Sequence, residues 1–262
     1  YALILQLTGS EFALGAEFIT KMLPMALASP LAGVLVDRFD RRKAMIISDL
    51  LRAVIVLGFL VMNEPSEVYL IYILIAMQVI VASVFRPAQI ASLPNIVERK
   101  DLVTANTIMS ATWSVMLALG AAIGGFAAEV FGLKVVFILD SLSYVVSAWF
   151  IYRVVILSPV FIGTRPSLIK SAHHEIREGW QFIRNHPAIQ RIATVKAVWA
   201  IAGGGLVYML VLVGGQMNPE HAAASIGALF AARGIGTAIG PIAARTLFID
   251  EKRWVSVIGV CI

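Results

Sequence analysis

Charged side chains inside apolar stretches are the residues of this sequence whose types could do chemistry. A charge in an apolar membrane segment is costly, and so it marks a candidate functional site. In this sequence the candidates for a proton or charge relay are Glu17, Lys21, Asp49, Arg52, Arg86, Asp140 and Arg233. Lys21 follows Glu17 by four residues, which places the two on one face of a helix. Arg52 follows Asp49 by three residues, with the same consequence.

Glu17 and Asp140 are the residues that we expect to carry a proton. Both fall in outer-half positions of their segments, which a central cavity could reach. A low dielectric favours the protonated form of a carboxyl group, which suits a proton carrier. The alternative is that a neighbouring cation neutralises each acid, which then only fixes helix packing.

The segments that must position these charges are long and apolar. Of the 262 residues, 59% are hydrophobic and 14% are charged, and the mean hydropathy is +0.86. About a quarter of the residues of a soluble domain are charged, whereas apolar runs of about 20 residues cross a membrane as α-helices. We therefore predict an all-α multi-pass membrane protein. Its predicted spans are 1–7 (a shortened first span), 12–35, 44–62, 68–85, 104–131, 135–157, 192–214, 222–247 and a ninth that begins near Val255.

The cations indicate how these spans are oriented. The net charge is +5, and the cations lie in short breaks between spans, which indicates membrane topology rather than nucleic-acid binding. The connections after odd-numbered spans contain Lys134 as their only Lys or Arg. The positive-inside rule therefore predicts a plasma-membrane protein with its even-to-odd loops in the cytoplasm. Those loops hold Arg38, Arg41, Arg42, Lys43, Arg99, Lys100, Arg165, Lys170, Arg177, Arg184, Lys252 and Arg253.

A polar stretch at 158–190 separates the sixth and seventh spans. It is predicted to contain an amphipathic helix at 167–185, which either lies in the membrane interface or is a solvated linker. The predicted domains are a six-span bundle at 1–157, a cytoplasmic linker, and the start of a second bundle at 191–262, as in parallel six-helix repeats. The chain begins without Met in one apolar run and stops in another, so we expect a fragment that lacks part of the first span and the last spans.

The connection between the second and third spans carries a motif, Gly-Val-Leu-Val-Asp-Arg-Phe-Asp-Arg-Arg-Lys, at residues 33–43. It resembles the G-x-L-x-D-R-x-G-R-R/K signature of the major facilitator superfamily, although Asp40 stands where that family usually has Gly. In that family the acid and the cations latch the two halves of the transporter on the cytoplasmic side, and the resemblance implies this role here. A basic loop that only sets topology is the alternative. The residues that would form the latch are Gly33, Asp37, Arg38, Arg41 and Arg42.

A glycine-rich run in the fifth span is similar to a second motif of the same superfamily. The run Gly-Ala-Ala-Ile-Gly-Gly at 120–125 resembles the G-P-x-x-G-G antiporter motif, with Ala121 in place of Pro. Small residues let helix backbones approach closely. We therefore expect Gly120, Gly124 and Gly125 at a tight helix crossing, and packing alone would explain them.

Further resemblances point to the efflux branch of the superfamily. The run Arg-Pro-Ala-Gln at 86–89 resembles the R-x-x-Q element of proton-coupled members, although Arg86 could instead be an anchor that extends to the cytoplasmic interface. Two short segments are similar to segments of enterobactin exporters and macrolide efflux proteins. They are Ser-Asp-Leu-Leu-Arg-Ala at 48–53 and Asp-Ser-Leu-Ser-Tyr at 140–144. The resemblance covers nearly the whole chain.

These features predict a monomeric secondary active transporter that works by rocking two six-helix bundles. The most specific form of this prediction is proton-coupled efflux of a small amphiphilic molecule that is drug-like or siderophore-like. The proton gradient would drive this transport without a cofactor or metal. No phosphate-binding G-x-x-x-x-G-K-[ST] loop occurs, which argues against an ATP-driven pump. The alternatives are an importer of the same superfamily, a non-transporting sensor or scaffold, and an intramembrane enzyme. Of these, the enzyme would need paired catalytic carboxylates or a His-rich motif such as H-E-x-x-H at the ends of spans, whereas none of the four histidines lies inside a span near an acid.

Overall fold

Helices make up nearly all of the chain that the structure describes. The structure is a computed structural model that describes residues 2–62, 64–156 and 168–247. Within these ranges no β-strand occurs, which confirms the predicted all-α fold. The helices are α1 (Ala2–Thr8), α2 (Glu11–Arg38), α3 (Arg41–Gly58), α4 (Val68–Ser92), α5 (Leu102–Phe131), α6 (Leu133–Arg153), α7 (Leu168–Asn185), α8 (Pro187–Met217) and α9 (Ala222–Leu247).

Helices long and apolar enough to cross a membrane dominate this fold. Their outward faces carry large apolar side chains, such as Leu27, Val54 and Phe126, which are 68%, 69% and 63% exposed. Soluble proteins rarely expose apolar surface on this scale, so these faces are suited to contact lipid. In the described residues six segments meet the criteria of length and hydropathy, namely Phe12–Arg38, Arg41–Val61, Pro65–Asn95, Thr104–Phe131, Leu133–Arg153 and Pro187–Met217.

The connection between the second and third spans is short. The apolar blocks end near residue 35 and resume near residue 44, whereas α2 continues to Arg38 and α3 begins at Arg41. The helices extend past the apolar blocks because Arg and Lys form helix nearly as readily as Leu does. Hydropathy marks where the apolar run ends, and the helical backbone extends past that point.

The fourth span also exceeds its predicted end. The apolar run stops near residue 85, yet α4 continues through Pro87 to Ser92. A proline removes one helical hydrogen bond but is tolerated in membrane helices where neighbouring groups satisfy the freed carbonyl. At the start of α8, Pro187 occupies the first turn, where the missing amide has no helical partner in any case.

The described chain divides into two compact units. The first contains Tyr1–Asn106 and Phe131–Arg177, and the second contains Thr107–Val130 and Glu178–Ile262, so far as these are described. In the first unit α3 packs against α4 and α6, and α2 packs against α4. In the second unit α9 packs against α8 and also contacts α5.

Parts of the predicted organisation are not tested by this arrangement. The domain boundaries near residues 157 and 190 stay a prediction. The first part of the predicted linker, residues 158–167, and the span predicted from Val255 lie outside the described residues.

Candidate functional site

The connection between α2 and α3 is a two-residue turn that Asp40 stabilises. Phe39 has an extended backbone, and the Asp40 carboxylate accepts a hydrogen bond from the backbone N–H of Lys43 at 2.9 Å. Asp40 is therefore the N-cap of α3, a position that favours Asp because its carboxylate satisfies an amide with no helical partner. This contact is a physical reason for an acid where the superfamily signature has Gly.

Two cations of this motif fasten α3 to the ends of neighbouring helices. Arg41 donates from Nη1 to the carbonyl oxygen of Ala91 at 2.6 Å, in the last turn of α4. Arg42 donates from Nε to the carbonyl of Ile151 at 3.3 Å, and from Nη2 to the carbonyl of Tyr152. The last carbonyls of a helix have no helical partner and carry partial negative charge, so guanidinium groups stabilise them. The two arginines thus join α3, α4 and α6.

The other motif residues lie at the end of α2. The Asp37 side chain is 68% exposed, and its Oδ1 lies 3.9 Å from Nη2 of Arg41. Arg38 and Gly33 are half-buried. The motif therefore holds the first unit together and leaves the Asp37 carboxylate at the surface. The predicted latch between transporter halves stays a prediction, with Asp37 as the exposed group that could form it.

Arg41→Gln is expected to lower the free energy of unfolding by about 1.5–3 kcal/mol, the range for hydrogen bonds to charged groups. The reason is that the bond to Ala91 is lost while the last carbonyls of α4 stay partly buried. Thermal unfolding of the purified protein measures the change. Lys43→Gln is the matched control, because it removes an exposed cation nearby and leaves the backbone bond to Asp40 intact. Equal losses in the two variants would contradict the capping role.

Arg52 lies at the centre of a charge cluster formed by α3, α4 and α6. Its Nη2 pairs with the Asp49 carboxylate one turn earlier on α3, and the two side chains are 13% and 1% exposed. The guanidinium carbon lies 4.7 Å from the ring centroid of Phe85 on α4 and 4.5 Å from that of Tyr144 on α6. Cation–π contacts are strongest where water is excluded. Side chains from three helices therefore hold Arg52 in place.

Asp140 on α6 is the second acid beside Arg52. Its half-buried carboxyl group interacts electrostatically with Arg52 and with Tyr144. The Gln78 side chain on α4 lies near the Tyr144 side chain. One arginine therefore interacts with two carboxylates among apolar spans. We call Asp49, Arg52, Phe85, Asp140 and Tyr144 the Arg52 cluster.

Two buried serines form hydrogen bonds between the helices of the Arg52 cluster and so fix how far each helix is shifted along its axis relative to its neighbour. Ser48 on α3 donates to the carbonyl of Val81 on α4 at 2.9 Å. Ser141 on α6 donates to the carbonyl of Ala53 on α3 at 3.0 Å. Hydrogen bonds between helices help to hold membrane bundles together. Each serine adjoins an acid of the cluster in sequence, so each bond positions that acid.

A further buried acid, Glu17, lies on α2. Nζ of Lys21 is 2.6 Å from Oε1 of Glu17, and the Glu17 side chain is only 1% exposed. Tyr72 on α4 donates to the carbonyl of Ala13 on α2 at 2.9 Å and lies close enough to interact with the Glu17 charge. The pair that the four-residue spacing allows does form, whereas a proton-carrying role for Glu17 stays a prediction.

The remaining relay candidates are cations on α4 and α9. Arg86 is exposed on α4, and Arg233 is half-buried on α9. An exposed cation near the end of a membrane helix agrees with the anchoring alternative for Arg86. A relay role for either arginine is still a prediction.

Glycines bring α5 and α9 into close contact in the second unit. A Cβ at Gly125 would lie 2.8 Å from a carbonyl oxygen of α9, and one at Gly227 would lie 2.6 Å from the carbonyl oxygen of Ala121. A Cβ at Gly234 would lie 2.5 Å from the backbone nitrogen of Ala118. These distances leave no room for a side chain, so the backbones meet through glycine. We call this contact the α5–α9 crossing.

Only one of the three predicted packing glycines takes part in the α5–α9 crossing. A Cβ at Gly120 or at Gly124 would meet no described atom within 4 Å, in contrast to one at Gly125. The partner glycines Gly227 and Gly234 were not predicted. A sequence signal for them exists, since both are small residues on one apolar helix, but nothing local shows which helix they face.

Comparison with known proteins places these features in a family. The profile of the Major Facilitator Superfamily matches residues 1–262. The chain is 28% identical over 188 residues to the putative bacilysin exporter BacE of Bacillus subtilis (strain 168), an alignment that covers 70% of this chain and 46% of that protein. It is 27% identical over 207 residues to Macrolide efflux protein A of Streptococcus pyogenes, covering 78% of this chain and 48% of that protein.

A third relative, the uncharacterized MFS-type transporter YfiS of Bacillus subtilis (strain 168), is 27% identical over 187 residues, covering 70% of this chain and 43% of that protein. The chain spans about half the length of the curated relatives it matches.

Three observations point to the same family. They are the apolar helices, the capped turn between α2 and α3, and the family profile that matches all residues. The chain therefore belongs to the Major Facilitator Superfamily.

Proposed function

We propose that this protein is a secondary active transporter that exports a small amphiphilic molecule across a bacterial plasma membrane in exchange for protons. Members of its superfamily are transporters rather than enzymes. Relatives that are named as a putative bacilysin exporter and a macrolide efflux protein support export. The proposed substrate is a drug-like or siderophore-like molecule. The proton gradient supplies the energy, and a monomer in the lipid bilayer works without a cofactor or a nucleic-acid partner.

The proposed orientation places the turn between α2 and α3 in the cytoplasm. The cations at this turn support it, because the positive-inside rule counts Lys and Arg close to the ends of spans. The connection between α5 and α6 and the one between α8 and α9 then lie on the outer face, where Lys134, in the first turn of α6, is the only Lys or Arg in or beside the two connections. Labelling of single cysteines at these connections with an impermeant maleimide in intact cells checks the orientation.

The observation that carries proton coupling is the Arg52 cluster. Two carboxylates and one guanidinium leave an excess negative charge among apolar spans, where charge is costly. A proton on one acid removes that excess. Asp49 forms the direct ion pair with Arg52, whereas Asp140 interacts with Arg52 at longer range. Asp140 is therefore the acid that takes the proton in this proposal, and Glu17 is the second candidate.

Asp140→Asn is expected to abolish export driven by a pH gradient, because asparagine cannot exchange a proton. The measurement is substrate movement in proteoliposomes with an imposed pH gradient, with a macrolide and bacilysin among the compounds tested. Passive equilibration of the same substrate without a gradient is expected to persist, which separates lost coupling from lost folding. Asp140→Glu is the matched control, since it keeps a carboxyl group at this position.

The outcomes of this experiment decide between the proposed roles. Normal coupling in Asp140→Asn would contradict the role of Asp140, and Glu17→Gln would then be tested in the same way. Substrate accumulation in the opposite direction would show an importer. Binding of a substrate without movement in the unchanged protein would show a sensor.

A further inference from the structure

His221 and Glu129 form an ion pair that the motifs and the Arg52 cluster do not include. Nδ1 of His221 lies 2.5 Å from Oε1 of Glu129, although the two residues are 92 positions apart in sequence. Glu129 is in the last turn of α5, and His221 immediately precedes α9. The His221 side chain is 56% exposed, so protons from the adjoining solution reach it directly.

The α5–α9 crossing brings these two helix ends together. Gly125 lies one turn before Glu129, and a Cβ there would be 2.8 Å from the carbonyl oxygen of Ala223, two residues after His221. A second close approach ties α8 to α9, since a Cβ at Gly214 would lie 2.9 Å from a backbone atom of α9. The ion pair therefore stabilises the approach of the end of α5 to the paired helices α8 and α9.

Protonation of His221 controls the strength of this ion pair. The hydrogen bond to the Glu129 carboxylate, followed by the charge of that carboxylate, raises the pKa of His221 above its ordinary value of about 6.5. Glu220 in the same turn adds to the rise, and the last turn of α8 contributes no charged residue. The pair is fully formed below the ordinary pKa. It weakens as the pH rises through the raised pKa.

We propose that His221 and Glu129 form a proton-binding latch that holds α5 against α8 and α9 when His221 is protonated and releases α5 when it is not. The latch lies on the outer face if the proposed orientation holds, and its role in transport rests on the proposed export. An external proton would then close the outer end after the exported molecule has left. This proton site is separate from the acids of the Arg52 cluster.

Distances between spin labels test the latch without reference to transport. In the full chain with Cys261→Ser, labels at Val130→Cys and Met217→Cys follow the end of α5 relative to α8, and both positions are exposed, at 54% and 66%. We expect one short distance at about pH 5.5, where the histidine is protonated. Above the raised pKa the ratio of long to short distances is expected to rise by up to about tenfold per pH unit, the limit for one proton.

Three variants complete the test. Glu129→Gln and His221→Asn are each expected to abolish the pH dependence of the distance. Glu220→Gln is the matched control and is expected to retain it, with a midpoint at lower pH. Circular dichroism checks that each variant is folded.

The latch is overturned if the unchanged protein shows the same distances at every pH, or if the pH dependence survives in Glu129→Gln. A pH-dependent distance in a protein that transports nothing would support the latch and count against the proposed export alone.

Discussion

Arg52→Met is expected to lower the free energy of unfolding by about 3–5 kcal/mol, the range for removing one partner of a buried ion pair. The Asp49 carboxylate is only 1% exposed, so it would be left without its cation in an apolar surrounding. The stacking of the guanidinium on Phe85 and Tyr144 would be lost as well. Thermal unfolding in nanodiscs, together with the amount of folded protein in membranes, measures the effect.

Two further variants separate charge from shape in this prediction. Arg52→Lys keeps the charge but loses the planar guanidinium, so we expect an intermediate loss of stability. The double variant Asp49→Asn with Arg52→Met removes both partners of the direct ion pair and is expected to recover part of the stability, because Asp49 no longer carries a buried charge while Asp140 still lacks its cation. If Arg52→Met unfolds at the same temperature as the unchanged protein, Asp49 does not depend on Arg52.

Gly234→Ala is expected to destabilise the second unit by about 1–3 kcal/mol, the usual cost of overpacking. The new methyl group would lie 2.5 Å from the backbone nitrogen of Ala118. Backbone atoms cannot rotate away as a side chain does, so α5 and α9 must separate. If this contact forms and opens during alternating access, transport is expected to fall together with stability. Thermal unfolding and export assays on the same preparation measure both effects.

Gly124→Ala and Gly120→Ala are the matched controls for the α5–α9 crossing. A Cβ at either position meets no described atom within 4 Å, and alanine is the better helix former by about 0.5–1 kcal/mol. We therefore expect stability that is unchanged or slightly higher. A loss in Gly124→Ala as large as the loss in Gly234→Ala would show that helix packing at this face differs from the structure.

Local features of the sequence were enough to predict the class of fold and the positions of the helices. The apolar runs predicted membrane helices because the length of such a run depends on the bilayer and not on neighbouring helices. The ion pairs of Glu17 with Lys21 and of Asp49 with Arg52 follow from helical spacing in the same way, since both partners lie on one helix. The helix ends were less accurate, as at Asp40, because capping depends on single side-chain contacts.

An all-α membrane protein with a superfamily signature at the α2–α3 turn can be predicted from the amino-acid sequence. Three contacts became known from the folded chain: Phe85 and Tyr144 enclose Arg52, Gly125 rather than Gly124 meets α9, and His221 pairs with Glu129. These contacts could not be predicted because they join residues far apart in sequence. They depend on which faces of two helices meet, and an apolar pattern that allows several faces to pack does not specify which one does.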